Sequence, residues 1–310
     1  MTPGETERAA PLEADGTPRG VGLASVIVPH LDDYDNLEAC VALLAEQSFP
    51  SERTEIIIAD NGSSRGLDAV RRIVGTRGRV VEVAERGAGP ARNAGVRASR
   101  GEAIAFIDSD CRPHRRWLEE GLAELRSADI VGGRVDVLVE DLRRMTAAEA
   151  FESVFAFQNE KYVRDRNFTV TASMFVRRSV FDAVGQFENG VPEDIDWCRR
   201  ARRKGYRIGF APKSIVGHPA RRTMAQLKRK WRRLTLEWCE AARRDGKGPM
   251  AMLLHEWGVL LSIGPYAVGA MASKRLSGTR NRILAVGALA QIRVYRFAVA
   301  HRAVLGSREE

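Results

Sequence analysis

The sequence predicts an α/β fold: an open, mostly parallel sheet flanked by helices, with a helical extension at the C-terminal end. Three observations carry that prediction. Between residues 24 and 108, short apolar runs alternate with amphipathic stretches. The runs are continuously apolar rather than alternating, which is how strands covered on both faces read. Beyond residue 129 the rhythm changes, and the chain closes in long stretches of helical character. With 310 residues, 44% of them hydrophobic and 29% charged, the chain can bury one large core plus an appendage, and global disorder is excluded.

The expected strands of the first half are residues 24–29 (ASVIVP), 55–60 (EIIIAD), 79–84 (RVVEVA) and 103–108 (AIAFID). Crossover helices are expected over 37–47, 67–74 and 90–99. Pro90 suits a first helical turn, where a missing N–H costs nothing. Open α/β sheets bind ligands at the carboxyl ends of their strands, so Asp60 and Asp108, each closing an expected strand, mark where chemistry should lie. In the second half, strands are expected over 130–139 and 169–176, with a helical run from 145 to 162 between them. Residues 193–204 read as a helix with acidic residues in its first turn and basic residues toward its end, matching the macrodipole. A strand over 206–211 stops before Pro212, and 223–244 reads as a long, basic amphipathic helix. The organisation is a loose tail over 1–20, a sheet domain over 21–235 divided into halves 21–128 and 129–235, and a helical extension over 236–310. No internal repeat interrupts it.

The net charge is +9, and between residues 199 and 233 there are 14 Lys or Arg residues and no Asp or Glu. Such a stretch either stays solvated or faces a polyanion. Substrate phosphates, an anionic bilayer and nucleic acid all satisfy it on charge alone. Residues 257–273 are uncharged over 17 positions, but Gly264-Pro265 interrupts them, and a spanning helix needs ~20 apolar residues. Residues 283–300 are apolar too, yet carry Arg293 and Arg296. Core or oligomer helices and a hairpin resting in a membrane interface both fit these segments better than spanning helices do. Cys40, Cys111, Cys198 and Cys239 form no C-x-x-C pair, which disfavours a disulfide framework or zinc knuckle and points to a reducing cytoplasm. No basic-then-apolar signal pattern opens the chain.

Ile107-Asp108-Ser109-Asp110 puts two carboxylates one residue apart just after an expected strand. A turn there lets both face one crevice, where hard oxygen ligands suit magnesium or manganese; a solvated turn or helix cap is the plainer reading. Asp60-Asn61-Gly62-Ser63 follows a strand in the same way. Gly62 permits close backbone approach, and Asp60 can accept hydrogen bonds from a nucleobase or ribose. Gly87-Ala88-Gly89-Pro90 lacks the Lys-Ser/Thr of a P-loop and the G-x-G-x-x-G spacing of dinucleotide enzymes. Glu193-Asp194-Ile195-Asp196 stacks three carboxylates in a first helical turn, as capping alone would, or to hold a proton acceptor for an acceptor hydroxyl. His218 can supply a neutral imidazole to a divalent metal.

Taken in order, Pro29, Asp60-Asn61-Gly62-Ser63, Ala91-Arg92-Asn93-Ala94-Gly95, Asp108-Ser109-Asp110, Glu193-Asp194-Ile195-Asp196 and His218 resemble the inverting family-2 glycosyltransferases of the GT-A fold, over roughly residues 24–235. The resemblance implies a Rossmann-like sheet and a nucleotide-sugar donor, UDP-sugar by default, bound by Pro29, Asp60, Arg92, Asp108 and Asp110. It implies a divalent cofactor, manganese or magnesium, on Asp110 and His218, and a catalytic base at Asp194. Glu193, Trp197 and Ser173 would shape the acceptor site. The sequence departs from the family in two places. Where P-x-Y-N is frequent, the chain reads Pro29-His30-Leu31-Asp32, weakening any stacking on the base. In place of the processive Q-x-x-R-W it has Gln226-Leu227-Lys228-Arg229-Lys230-Trp231, which points to single-sugar addition. A glycan or lipid-linked acceptor follows, in cell-surface polysaccharide or glycolipid synthesis. With it goes a cytoplasmic protein, peripheral on the inner face of an anionic membrane; nucleic acid is not expected as a partner. A nucleotidyltransferase would need a phosphate loop with Lys or Arg near residues 28–35, which hold neither. A non-catalytic polyanion or membrane binder would leave the recurring strand-end carboxylates without a purpose.

Overall fold

The computed structural model describes residues 21–306; the tail expected over 1–20 lies outside them. The first half runs β1 (Ala24–His30), α1 (Tyr34–Ala45), β2 (Thr54–Asp60), α2 (Leu67–Val74), β3 (Arg79–Glu82), α3 (Ala88–Ala98), β4 (Ala103–Phe106), β5 (Arg112–Pro113) and α4 (Trp117–Glu124). The second half runs β6 (Ile130–Leu138), α5 (Ala147–Phe155), α6 (Asn159–Arg166), β7 (Met174–Arg177), α7 (Arg178–Val184), α8 (Glu193–Arg203) and β8 (Ile208–Pro219). Four helices close the chain: α9 (Met224–Arg244), α10 (Pro249–Leu261), α11 (Ile263–Met271) and α12 (Gly278–Leu305).

Among the described residues the strands form one sheet in the order β3-β2-β1-β4-β7-β6-β8-β5. The β3-β2-β1-β4 block is parallel, β7 runs antiparallel between β4 and β6, and β6 pairs parallel with β8. The interior strands are apolar on both faces because each face carries its own core. Val26, Val28, Ile58 and Trp117 pack with α1 and α4 on one side; Ile27, Ile104, Phe106 and Trp197 pack with α7 and α8 on the other.

Three expectations change in the structure. The strand expected over 169–176 begins only at Met174, after a 3-10 turn over Thr171–Ser173. The buried Asn159 amide accounts for this: it donates to Thr169 Oγ1 and Gly133 O and accepts from the Val170 N–H, offering the backbone an alternative to the ladder. The helix expected over 145–162 is two helices, broken where Phe157 takes a left-handed φ of 48°, a conformation uncommon for a bulky residue. The strand expected to stop at Pro212 continues to Pro219. Its pairing with β6 jumps from Ala211 to Ile215 at a bulge, and Pro212 lies in the bulge, where no ladder N–H is required. The continuation carries His218 to the end of the sheet.

The domain boundary expected at residue 235 falls inside α9, which is capped by a Thr223–Gln226 box and runs unbroken to Arg244. The helix α12 is, by length and composition, long and apolar enough to cross a membrane. It packs against α5, α9, α10 and α11.

Candidate active site

A cavity of about 1260 Å³ opens at the carboxyl ends of β1, β2 and β4 and continues between α5, α9 and the last three helices. At the sheet end, β4 leads into Asp108 and the turn beyond it Asp110, while β8, which runs the same way as β4 across the sheet, brings His218 to the same end. Ligand atoms of the three lie within 4.8 Å of one another. His218 Nδ1 is 2.9 Å from the Pro219 carbonyl, which can only accept, so Nδ1 carries the proton. In the neutral imidazole Nε2 then presents a lone pair, and it lies 3.4 Å from Asp110 Oδ2. Two electron-pair donors face each other beside a second carboxylate. One imidazole nitrogen and two carboxylate oxygens are a donor set that fits manganese or magnesium. Burial is the largest influence on the Asp110 carboxyl and holds its pKa above the usual value. Phe157, at the α5–α6 break, packs on the His218 ring at 4.4 Å between centroids.

The second cluster opens α8. Arg92, buried on α3, donates to Asp108 Oδ1 at 2.6 Å and to Glu193 Oε1 at 2.8 Å, so one guanidinium ties the end of β4 to the first turn of α8. Asp194 lies beside this bridge and lines the cavity. Burial, with the Glu193 charge next, pushes its carboxyl up to about 7. Such a group is poised to exchange a proton near neutral pH.

The nucleotide end is built around buried His30. Its Nδ1 is 2.9 Å from Asp60 Oδ1, and Asp60 also accepts from the Ser63 N–H and hydroxyl. His30 Nε2 is buried without a partner. Asn61 accepts from the Gly87 N–H and donates to the Glu85 carbonyl, shaping the loop before α3. Gly87 stands there at φ 137°, where a Cβ would lie 2.5 Å from Asn189 Oδ1.

Of the expected site residues, Pro29, Arg92, Asp108, Asp110, Glu193, Asp194 and His218 line this cavity. Three do not. Asp60 is 2% exposed; its oxygens accept from Ser63 and face His30 Nδ1, so it stands behind His30 and off the cavity wall. Trp197 is core: it stacks on Phe181 and donates its indole N–H to Gly185 O. Ser173 is buried and accepts from the Trp117 indole, leaving Thr171 and Ala172 on the wall. His30, Asn61 and the lining residues of α10–α12 were missed. A polar residue directly after Pro29 was the available signal for His30; α9 was marked by its basic run and by Gln226–Trp231, whereas α10–α12 carry no motif.

The model described as Glycosyl transferase family 2 matches residues 25–185. Glycosyltransferase AglE of Haloferax volcanii is 34% identical over 216 residues, 67% of this chain and 70% of that protein. The chain belongs to glycosyl transferase family 2. It is a nucleotide-sugar glycosyltransferase. The Pre-mycofactocin glycosyltransferase of Mycobacterium tuberculosis is 31% identical over a shorter stretch, 44% of this chain and 31% of that protein. The transferase also shares its fold with mannosyltransferase PcManGT of Pyrobaculum calidifontis, solved in complex with GDP-Man and Mn2+. The TM-score is 0.61 at 22% identity, over 94% of this chain and 89% of that one. That likeness establishes the GT-A architecture with its C-terminal helices.

Proposed function

We propose that the transferase adds one sugar, with inversion, from a nucleoside diphosphate-sugar to the hydroxyl of a glycan or lipid-linked acceptor, in a metal-dependent single displacement. The observation that carries this reading is the pair of facing lone-pair atoms, His218 Nε2 and Asp110 Oδ2, beside Asp108. These three residues would hold manganese or magnesium, which when bound neutralises charge on a departing nucleoside diphosphate. Asp194 takes the proton of the attacking hydroxyl. Arg92 holds the donor end and the base-bearing helix in register. His30 Nε2, with Nδ1–H committed to Asp60, accepts the ring N–H of a base. Uracil and guanine offer that group, so a UDP-sugar and a GDP-sugar such as PcManGT holds both suit it.

The protein acts as a peripheral enzyme on the inner face of the cytoplasmic membrane. Supporting this are the basic residues of α9 and the exposed Leu254, Trp257, Leu261 and Val268 of α10 and α11. Salt shortens the Debye length from ~10 Å at 0.1 M to ~3 Å at 1 M, so membrane fractions should release part of the protein in high salt and the rest in mild detergent. Wholly soluble protein at low salt would sink this placement. For the reaction, product analysis with UDP- and GDP-sugars, with manganese and with chelator, is the test. Transfer that persists in chelator would refute the metal-dependent displacement.

A further inference from the structure

Beyond the acidic end, the cavity enters a lobe between α5, α9 and the last three helices, and its charge inverts. Arg221, Lys230, Arg233, Arg293 and Arg296 line it, against three carboxylates. Glu152, 1% exposed, is shared by Arg221 at 2.8 Å and Lys230 at 3.0 Å. Glu256, also 1% exposed, takes a bidentate pair from Arg296. Glu237 stands 3.5 Å from Arg233. Among the described residues Arg293 has no carboxylate within ion-pair distance; its guanidinium lies over the Tyr266 ring, 5.1 Å from the centroid. Burial, then Arg296, weakens its hold on its proton against the smaller opposing pulls of Tyr266 and Glu256, so its charge is only partly compensated within the fold. The Trp231 indole N–H is likewise buried with no acceptor. The lobe therefore holds about two positive charges in excess and one spare donor, a match for the ~2 negative charges of a phosphate monoester or of a substituted diphosphate.

The remaining wall is apolar: Phe155, Leu234, Trp238, Val259, Leu289 and Ile292. While Val259, Ser262 and Tyr266 of the α10–α11 segment face the lobe, Leu254, Trp257, Leu261 and Val268 of the same two helices are exposed, between 49% and 74%. A ligand with an anionic head and a hydrocarbon tail can satisfy both surfaces, its head on Arg293 and its tail leaving past α10 and α11. A sugar phosphate would leave the apolar wall uncovered; a neutral glycan would leave Arg293 only partly compensated.

We infer that this lobe is the acceptor site and that the acceptor is a lipid carrying one or two phosphates, anchored by Arg293 and Trp231. The inference rests on the transfer reading above for the word acceptor, but the binding claim is tested apart from it. Calorimetry on the full chain would use dodecyl phosphate below its micellar concentration, with dodecyl maltoside (tail without charge) and inorganic phosphate (head without tail) as separate arms. Dodecyl phosphate should bind wild type about tenfold or more tighter than either, the scale of one charge-assisted contact. Arg293→Met, which keeps the stem, should lose that advantage, and Arg293→Lys should recover part of it. Manganese-dependent nucleotide binding, measured on the same samples, should be unchanged in both variants and certifies their folding. Inorganic phosphate binding as tightly as dodecyl phosphate would reduce the lobe to an anion site and overturn the lipid. Equal dodecyl phosphate affinity in wild type and Arg293→Met would overturn the anchor, and nucleotide binding lost in Arg293→Met would give the lobe to the donor instead. A wild type that binds dodecyl phosphate but no nucleotide would sink the donor reading alone.

Discussion

The two ends of the cavity are made differently. At the acidic end, Asp108, Asp110 and His218 stand on or just beyond strand ends of one sheet, and Asp194 opens a helix that Arg92 clamps to that sheet. At the basic end, the lining comes from helices α5 and α9–α12, with Arg293 held only over the Tyr266 ring and the Trp231 N–H left without an acceptor. The match to the family ends at residue 185, short of α8, of His218 and of the basic lobe's five cations, though it includes Glu152 and Phe155 of α5. The difference is one of construction: the sheet end gathers carboxylates and an imidazole at strand and helix ends, and the helical end gathers buried cations from helices distant in sequence.

The sharpest way to break that contrast is to remove the base. Asp194→Asn keeps the shape but cannot take a proton, so transfer should fall by ~10²–10⁴-fold with nucleotide affinity unchanged. Glu193→Gln belongs beside it. If that variant is dead and Asp194→Asn is active, the base is one residue earlier. The carboxyl of Asp194 is pushed up to about 7, and a base must be ionised, so wild-type kcat should rise with pH up to about 7 and then level off. A kcat that is flat between about pH 5 and 8 would remove Asp194 from the chemistry.

The basic lobe should fail differently, by stability. Glu152→Gln removes the carboxylate shared by Arg221 and Lys230 and should cost about 3 kcal/mol, the scale for breaking a buried pair, read by denaturant unfolding. Both cations hold the Glu152 carboxyl below its usual value despite burial. A depressed carboxyl contributes stability above its unfolded value of 4.5 and loses it as pH falls toward the lower native value. Wild type should therefore lose stability on acidification below about 4.5, more steeply than Glu152→Gln. The Lys230 ammonium is pushed down instead, because burial and the second cation outweigh the shared carboxylate; the Glu152 direction is the one that geometry supports, with three hydrogen bonds to its oxygens.

What could be read beforehand follows the same line. The parallel block of the sheet was legible because continuous apolar runs ending in Asp60 and Asp108 have few other physical explanations. Strand β8 was cut short because Pro212 ends most strands, and only the bulge makes it harmless. Asp60 was legible as a strand-end carboxylate but not as one that faces His30 and Ser63, since that depends on the register of β1 against β2. The basic lobe was legible only as charge: Arg221, Lys230 and Arg233 fall in the basic run over 199–233, but Glu152 and Arg293 lie far from it in sequence, and no spacing rule joins them.

Smaller effects sharpen the sheet end. His30→Phe should weaken nucleotide binding about tenfold by removing one buried acceptor, leaving kcat at saturating donor close to wild type. Trp197→Phe and Ser173→Ala should leave the acceptor KM unchanged, since both side chains are core. A shifted acceptor KM in either would return them to the acceptor site.

The central claim is that Asp108, Asp110 and His218 hold a cation that nucleotide binding requires. Titrating UDP and GDP calorimetrically into wild type and Asp110→Ala, each with manganese and with chelator, tests it most directly. At least one nucleotide should bind wild type in manganese and lose about tenfold or more of its affinity in chelator, and Asp110→Ala should bind equally weakly in both. Equal affinity in manganese and chelator for the wild type would contradict the account.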